Sequence, residues 1–95
     1  MKKCVSDVQI IPIKPKDGLV AFVNIVYDDS LFLGSIAIYT RPGGEYRLVY
    51  PKKNAREPFN IFHPINKITA KAIDDAVIEK YKEVVQEVEK MSKVI

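Results

Sequence analysis

His63 is the one histidine of this chain and Cys4 its one cysteine, so they come first as candidates for chemistry. A general base or a nucleophile needs a partner within hydrogen-bond reach, and the sequence nominates none for either. His63 stands in Phe62-His63-Pro64-Ile65-Asn66, where an imidazole at a chain reversal more readily bonds backbone. Cys4 reads as a small strand residue, since a single thiol closes no internal disulfide and anchors no zinc knuckle. Asp28-Asp29 offers two carboxylates to a cation, but hard cations take about six or more oxygens. With Ser30 next to it, the pair reads as a turn. Asp74 and Asp75 are neighbours on an expected helix and point about 100° apart, so they do not form an acid/base pair. Arg41-Pro42-Gly43-Gly44-Glu45-Tyr46-Arg47 has two glycines but neither the spacing of a phosphate-cradling loop nor a following helix. The expectation is a protein that is not an enzyme and carries no catalytic residue, metal or cofactor.

Charge is the stronger signal. The chain has 95 residues and a formal charge of +3. Residues 67–95 balance, whereas residues 41–56 hold Arg41, Arg47, Lys52, Lys53 and Arg56 against Glu45 alone, a net +4. Such a segment fits a polyanion. It also fits a solvated loop and strand edge, where lysines discourage sheet-to-sheet pairing. Charge alone leaves both open, and the solvated edge is the commoner outcome.

The elements that would position these charges are legible from periodicity. Val5 to Ile13 is rich in Val and Ile, and Lys14 to Gly18 ends it with proline and a turn-favouring Asp-Gly. Leu19 to Tyr27 and Leu31 to Thr40 are strands with apolar residues at both parities, joined by the Asp28-Asp29-Ser30 turn. By alternation, Leu19, Ala21, Val23, Ile25 and Tyr27 share one face of the first. In the second, Leu31, Leu33, Ala37 and Tyr39 lie opposite Phe32, Ile36 and Ile38. Tyr46 to Tyr50 is a fourth strand, Pro51 to Pro58 a basic loop, and Phe59 to Phe62 a short fifth strand. Pro64 extends His63, and Asn66 caps a helix running to Lys93. Its stripe is Ile73, Val77, Tyr81, Val84, Val88 and Met91.

The fold class is therefore α+β: an antiparallel meander of four to five strands over 4–62, then a long amphipathic helix over 67–93. It forms a single domain, 1–95. One helix cannot cover both apolar faces of a sheet, so a homodimer is expected. No apolar run reaches the roughly 20 residues of a membrane span, and Cys4-Val5-Ser6-Asp7 interrupts any leader-like start. The expectation is a cytoplasmic protein without a membrane partner.

In this order the segments resemble the SpoVG family (stage V sporulation protein G, septation protein SpoVG). The resemblance is carried by "VSDVQI", "AFVNIVYDDSLFL", "YPKK", "FHPIN" and "ITAKAIDDAVIEKY", across about residues 5–82. It implies an antiparallel sheet with a C-terminal helix, acting as a dimer, and a bacterial regulator that binds DNA or RNA. It also implies a link to sporulation septation and cell division. By position Lys53 matches the lysine of the family's Pro-Ser-Lys, and His63, Pro64, Ile65 and Asn66 match its corner, which on the residue-level reading shapes the fold. Gln9 stands where the family has a basic residue, Ala70 replaces a frequent arginine, and the segment before the corner is about two residues shorter. The expected nucleic-acid contacts are Lys52, Lys53, Arg56 and Arg47, with Lys67 and Lys71 at the helix start. Tyr46 or Tyr50 could stack on bases, although sheet packing is their preferred reading. The alternative function is a dimeric protein-protein interaction module with no direct nucleic-acid binding.

Overall fold

A computed structural model describes residues 4–54, 56 and 58–93, with side chains as far as residue 86. Four strands, β1 (Val5–Lys16), β2 (Leu19–Tyr27), β3 (Leu31–Thr40) and β4 (Tyr46–Val49), precede one helix, α1 (Lys67–Lys93). The strands pair in chain order, β1-β2-β3-β4, all antiparallel.

Local chemistry sets each turn. Asp17 and Gly18 both take positive φ, 52° and 89°, between the paired Lys16 and Leu19. That is the mirror-image two-residue turn that matches strand twist. Asp28 and Asp29 take φ of 54° and 52°, left-handed values that aspartate tolerates better than most residues, so the pair is a turn as expected. β1 runs on to Lys16, past its expected end. Pro12 and Pro15 do not stop it, because an edge strand has one side on which a missing N–H is harmless.

The core lies between one sheet face and α1. Ala21, Val23, Ile25, Ile36, Ile38, Ile73 and Val77 are buried there, with Val5 and Tyr81 at its margins. The expected stripe is confirmed through Ile73, Val77 and Tyr81; at the next turn Val85 packs on the core while Val84 is half-buried outside it, and the side chains of Val88 and Met91 fall outside the described residues. Strand parity needs correction in two places. Ile36 and Ile38 share the helix-facing side with Leu33, because β3 bulges at Gly34-Ser35 and Ser35 takes φ of 62°. An extra residue in one strand reverses which side chains point inward beyond it. The pairing also shifts between Leu19 and Ala21, so Val20 packs on the core while Leu19 lies opposite Tyr39. β1 has two further shifts against β2, one between Pro12 and Lys16 and one between Ser6 and Gln9, the latter at Asp7, whose φ is 47°.

The expected fifth strand is not formed. Phe59–Phe62 contributes one isolated bridge, Asn60 to Lys52. The ladder ends there because Pro58 has no N–H to give and Pro64 follows closely.

The other sheet face has no helix on it. The paired positions Ile11, Phe22, Ala37 and Val49 form an apolar row across all four strands. Val26 and Phe32 pair beside it, with Phe32 69% exposed.

Candidate nucleic-acid interface

The basic loop is a hairpin rather than an open loop. The Ile61 N–H donates to the Pro51 carbonyl at 2.7 Å, and the Asn60 side-chain amide donates to the Tyr50 carbonyl at 2.8 Å. With the isolated Lys52–Asn60 bridge these bonds hold the two limbs of the segment after β4 together as an arm without a second strand. At its tip the Asn54 side-chain oxygen accepts the Arg56 N–H at 3.0 Å, an Asx-type turn. Lys52, Lys53 and Arg56 are all exposed on this arm.

The other expected contacts sit elsewhere. Arg47 is exposed on β4 opposite Tyr39. Lys67 and Lys71 are exposed in the opening turns of α1. Lys71 pairs with Asp75 at 3.2 Å, so its charge is partly neutralised. Both described ion pairs, this one and Lys80–Glu83 at 3.8 Å, lie on α1. The three hairpin cations enter neither.

The corner works as local geometry dictates. The Asn66 side-chain oxygen accepts the Thr69 N–H at 2.7 Å, and its carbonyl accepts the Ala70 N–H at 3.1 Å, which caps α1 as expected. His63 is exposed, with Nδ1 3.0 Å from the Pro64 carbonyl oxygen. In the neutral ring that contact makes Nδ1 the donor.

An apolar cleft of about 290 Å³ lies between the corner and the sheet, with Tyr50, Phe62, Leu31 and Ile73 among its walls. Tyr50 packs edge-on against Phe62, ring centroids 5.9 Å apart, and Tyr46 against Tyr81 at 5.1 Å. The sheet-packing reading of both tyrosines therefore holds, and neither ring is free to stack on a base. The Tyr50 hydroxyl is buried with no hydrogen-bond partner among the described residues. Burial, and secondarily the Asp74 carboxylate, pushes its pKa up to about 12. Asp74 is itself raised by burial and by Asp75, against the pull of Lys71. Tyr81 is raised by burial and then by Tyr46. No group of three or more His, Cys, Asp or Glu among the described residues could hold a metal ion. Among the described residues no helix is long and apolar enough to cross a membrane.

Sequence reasoning missed Phe59, which is 77% exposed on the hairpin. Its place in the expected fifth strand gives no sign of this exposure.

The SpoVG family profile matches residues 3–83. A protein of Caldicellulosiruptor bescii is 32% identical over 82 residues, covering 85% of this chain and 93% of that one. A protein of Agathobacter rectalis is 28% identical over 85 residues, covering 88% and 98%. One from Phytoplasma australiense is 28% identical over 81 residues, covering 84% of each. All three carry the name "Putative septation protein SpoVG".

Proposed function

Because the chain belongs to the SpoVG family, we propose that it is a cytoplasmic regulator that binds DNA or RNA, as a homodimer and without catalysis. The observation that carries this reading is the arm itself: Lys52, Lys53 and Arg56 stand exposed on a hydrogen-bonded hairpin, outside the described ion pairs. Solvated cations neutralise phosphates and release condensed counterions. Arg47 on the adjoining strand would extend the contact. Lys67 and Lys71 would add cations beside the free N–H groups at the start of α1. Phosphate contacts of this kind position a protein without reading sequence. The relatives' name motivates a place in septation, and the family resemblance extends this to the cell-division control of sporulation.

The test is fluorescence anisotropy with labelled single-stranded RNA, single-stranded DNA and duplex DNA at low and near-physiological salt. Binding that weakens steeply with salt is the expected result. No binding to any of the three at low salt overturns the reading.

A second reading has its own observation, the apolar row Ile11, Phe22, Ala37 and Val49 on the face opposite α1. Here the chain is a protein-protein interaction module, and the basic arm is only a solvated rim. Recovery of one protein partner in a pull-down after nuclease treatment supports it. Loss of every partner on nuclease treatment sinks it.

A further inference from the structure

We infer that Phe59 is a stacking platform for an unpaired base, which makes the arm a reader of single-stranded rather than duplex nucleic acid. The inference rests on the nucleic-acid reading above and deepens it.

An aromatic ring held 77% in solvent loses apolar contact that burial would provide. Phe59 nevertheless stands on ordered backbone. Its neighbour Asn60 bridges Lys52 and bonds the Tyr50 carbonyl, and the next residue, Ile61, bonds the Pro51 carbonyl. Phe59 thus belongs to the same hydrogen-bonded hairpin as Lys52, Lys53 and Arg56. Cations that track a backbone, together with an aromatic face for the bases, are the two parts of a single-strand site. In a duplex the base faces are already stacked on each other, so an exposed ring gains nothing there. Phosphate contacts are made equally to either form.

Phe32, the other strongly exposed aromatic at 69%, does not have this setting. It pairs with Val26 on the apolar sheet face and follows the Asp28-Asp29 turn, whose carboxylates repel phosphates. Tyr46 and Tyr50 are occupied by Tyr81 and Phe62. Of these four aromatic rings, Phe59 alone is strongly exposed on the hairpin that carries Lys52, Lys53 and Arg56.

The test measures binding of labelled oligo(U), oligo(dT) and a DNA duplex, each about 12 units long, by wild type, Phe59→Ala and Phe59→Tyr. Phe59→Ala should weaken single-strand binding roughly 5- to 100-fold, the range found when a stacking aromatic is truncated. Duplex binding and the salt dependence should stay unchanged, and Phe59→Tyr should restore single-strand affinity. Equal loss on single strand and duplex, or no loss on either, overturns the inference while leaving the nucleic-acid reading intact. Failure of wild type to bind any probe removes both. Circular dichroism and light scattering on Phe59→Ala complete the test. If the variant is folded but has lost a wild-type dimer, Phe59 is a subunit contact and the stacking role is overturned.

Discussion

The side-chain oxygen of Asn24 on β2 accepts the backbone N–H of Ser35 on β3 at 3.1 Å, opposite the bulge. Between the pairs Val23–Ile36 and Ile25–Leu33, β2 has one residue and β3 has two, Gly34 and Ser35. The bulge strands an amide, and Asn24 takes it up. A Cβ at Gly34 would lie 3.0 Å from the Phe32 ring and 3.1 Å from Asn24 Oδ1, so a side chain there would make both neighbours give by a few tenths of an ångström. Asn24→Ala should therefore cost about 1 kcal/mol, lowering Tm by about 4–8 °C for a domain of this size. Ser35→Gly should recover about 1 kcal/mol, because φ of 62° is strained for serine and free for glycine. Thermal melts followed by circular dichroism check both. An unchanged Tm in Asn24→Ala would mean that water serves the amide equally well.

Tyr50 gives a prediction with a definite sign. Its hydroxyl is buried without a partner among the described residues, so Tyr50→Phe should stabilise by about 1 kcal/mol. The folded phenol keeps its proton to about 12 against an ordinary value of 10.0. Between those values the unfolded chain binds fewer protons than the folded one, so stability falls as pH rises. Below pH 10 this contribution is fully present. Denaturant melts from pH 9 to pH 12 should show wild type losing stability more steeply than Tyr50→Phe. Tyr81, also raised, retains its share in the variant. Parallel curves for the two proteins would show that the Tyr50 hydroxyl is solvated.

The hairpin cations predict a salt signature. Lys52→Ala with Lys53→Ala should weaken binding to every nucleic acid probe alike. It should also flatten the plot of log affinity against log salt by about 1 to 2 units, as expected for two lost phosphate contacts. Titrations at several salt concentrations measure this. An unaltered slope would move the contact surface to α1 or to Arg47.

The apolar row predicts a subunit contact. Ile11, Phe22, Ala37 and Val49 cross the sheet without a helix over them, and Phe32 stands 69% exposed beside them. Multi-angle light scattering should give a dimer for wild type and a monomer for Phe32→Glu. Circular dichroism should be the same for both, because an exposed position tolerates charge in the monomer. A monomeric wild type, or a dimeric Phe32→Glu, would place the contact elsewhere.

Most element positions were legible in the sequence because the cues were local. Asp17-Gly18, Asp28-Asp29-Ser30 and Gly43-Gly44 mark the three turns, Asn66 marks the helix start, and β2, β3 and α1 have their expected limits. The bulges were not legible. Asp7 and Ser35 take positive φ without being glycine; Asp7 has no local marker, and at Ser35 the only cue is the neighbouring Gly34, a glycine inside a strand pattern. The error then propagated, since one misplaced parity assigns Ile36 and Ile38 to the wrong face. The cations of the candidate site were visible as a charge cluster, but their support was not. The Asn60–Tyr50 bond and the Lys52–Asn60 bridge join residues across a hairpin whose register the sequence does not encode locally. Phe59 was hidden for the same reason.

The order of the elements along the chain also governs how the molecule comes into being. Each strand pairs with the one just before it, so the meander can close hairpin by hairpin as it leaves the ribosome, with little entropy lost to long loops. Ile73, Val77 and Tyr81, which seal the core, follow all four strands. A nascent chain thus passes through a stage in which a finished sheet is wet on both sides. Such a surface invites chaperones or neighbouring nascent chains, and translation speed through the codons of α1 sets how long the invitation lasts.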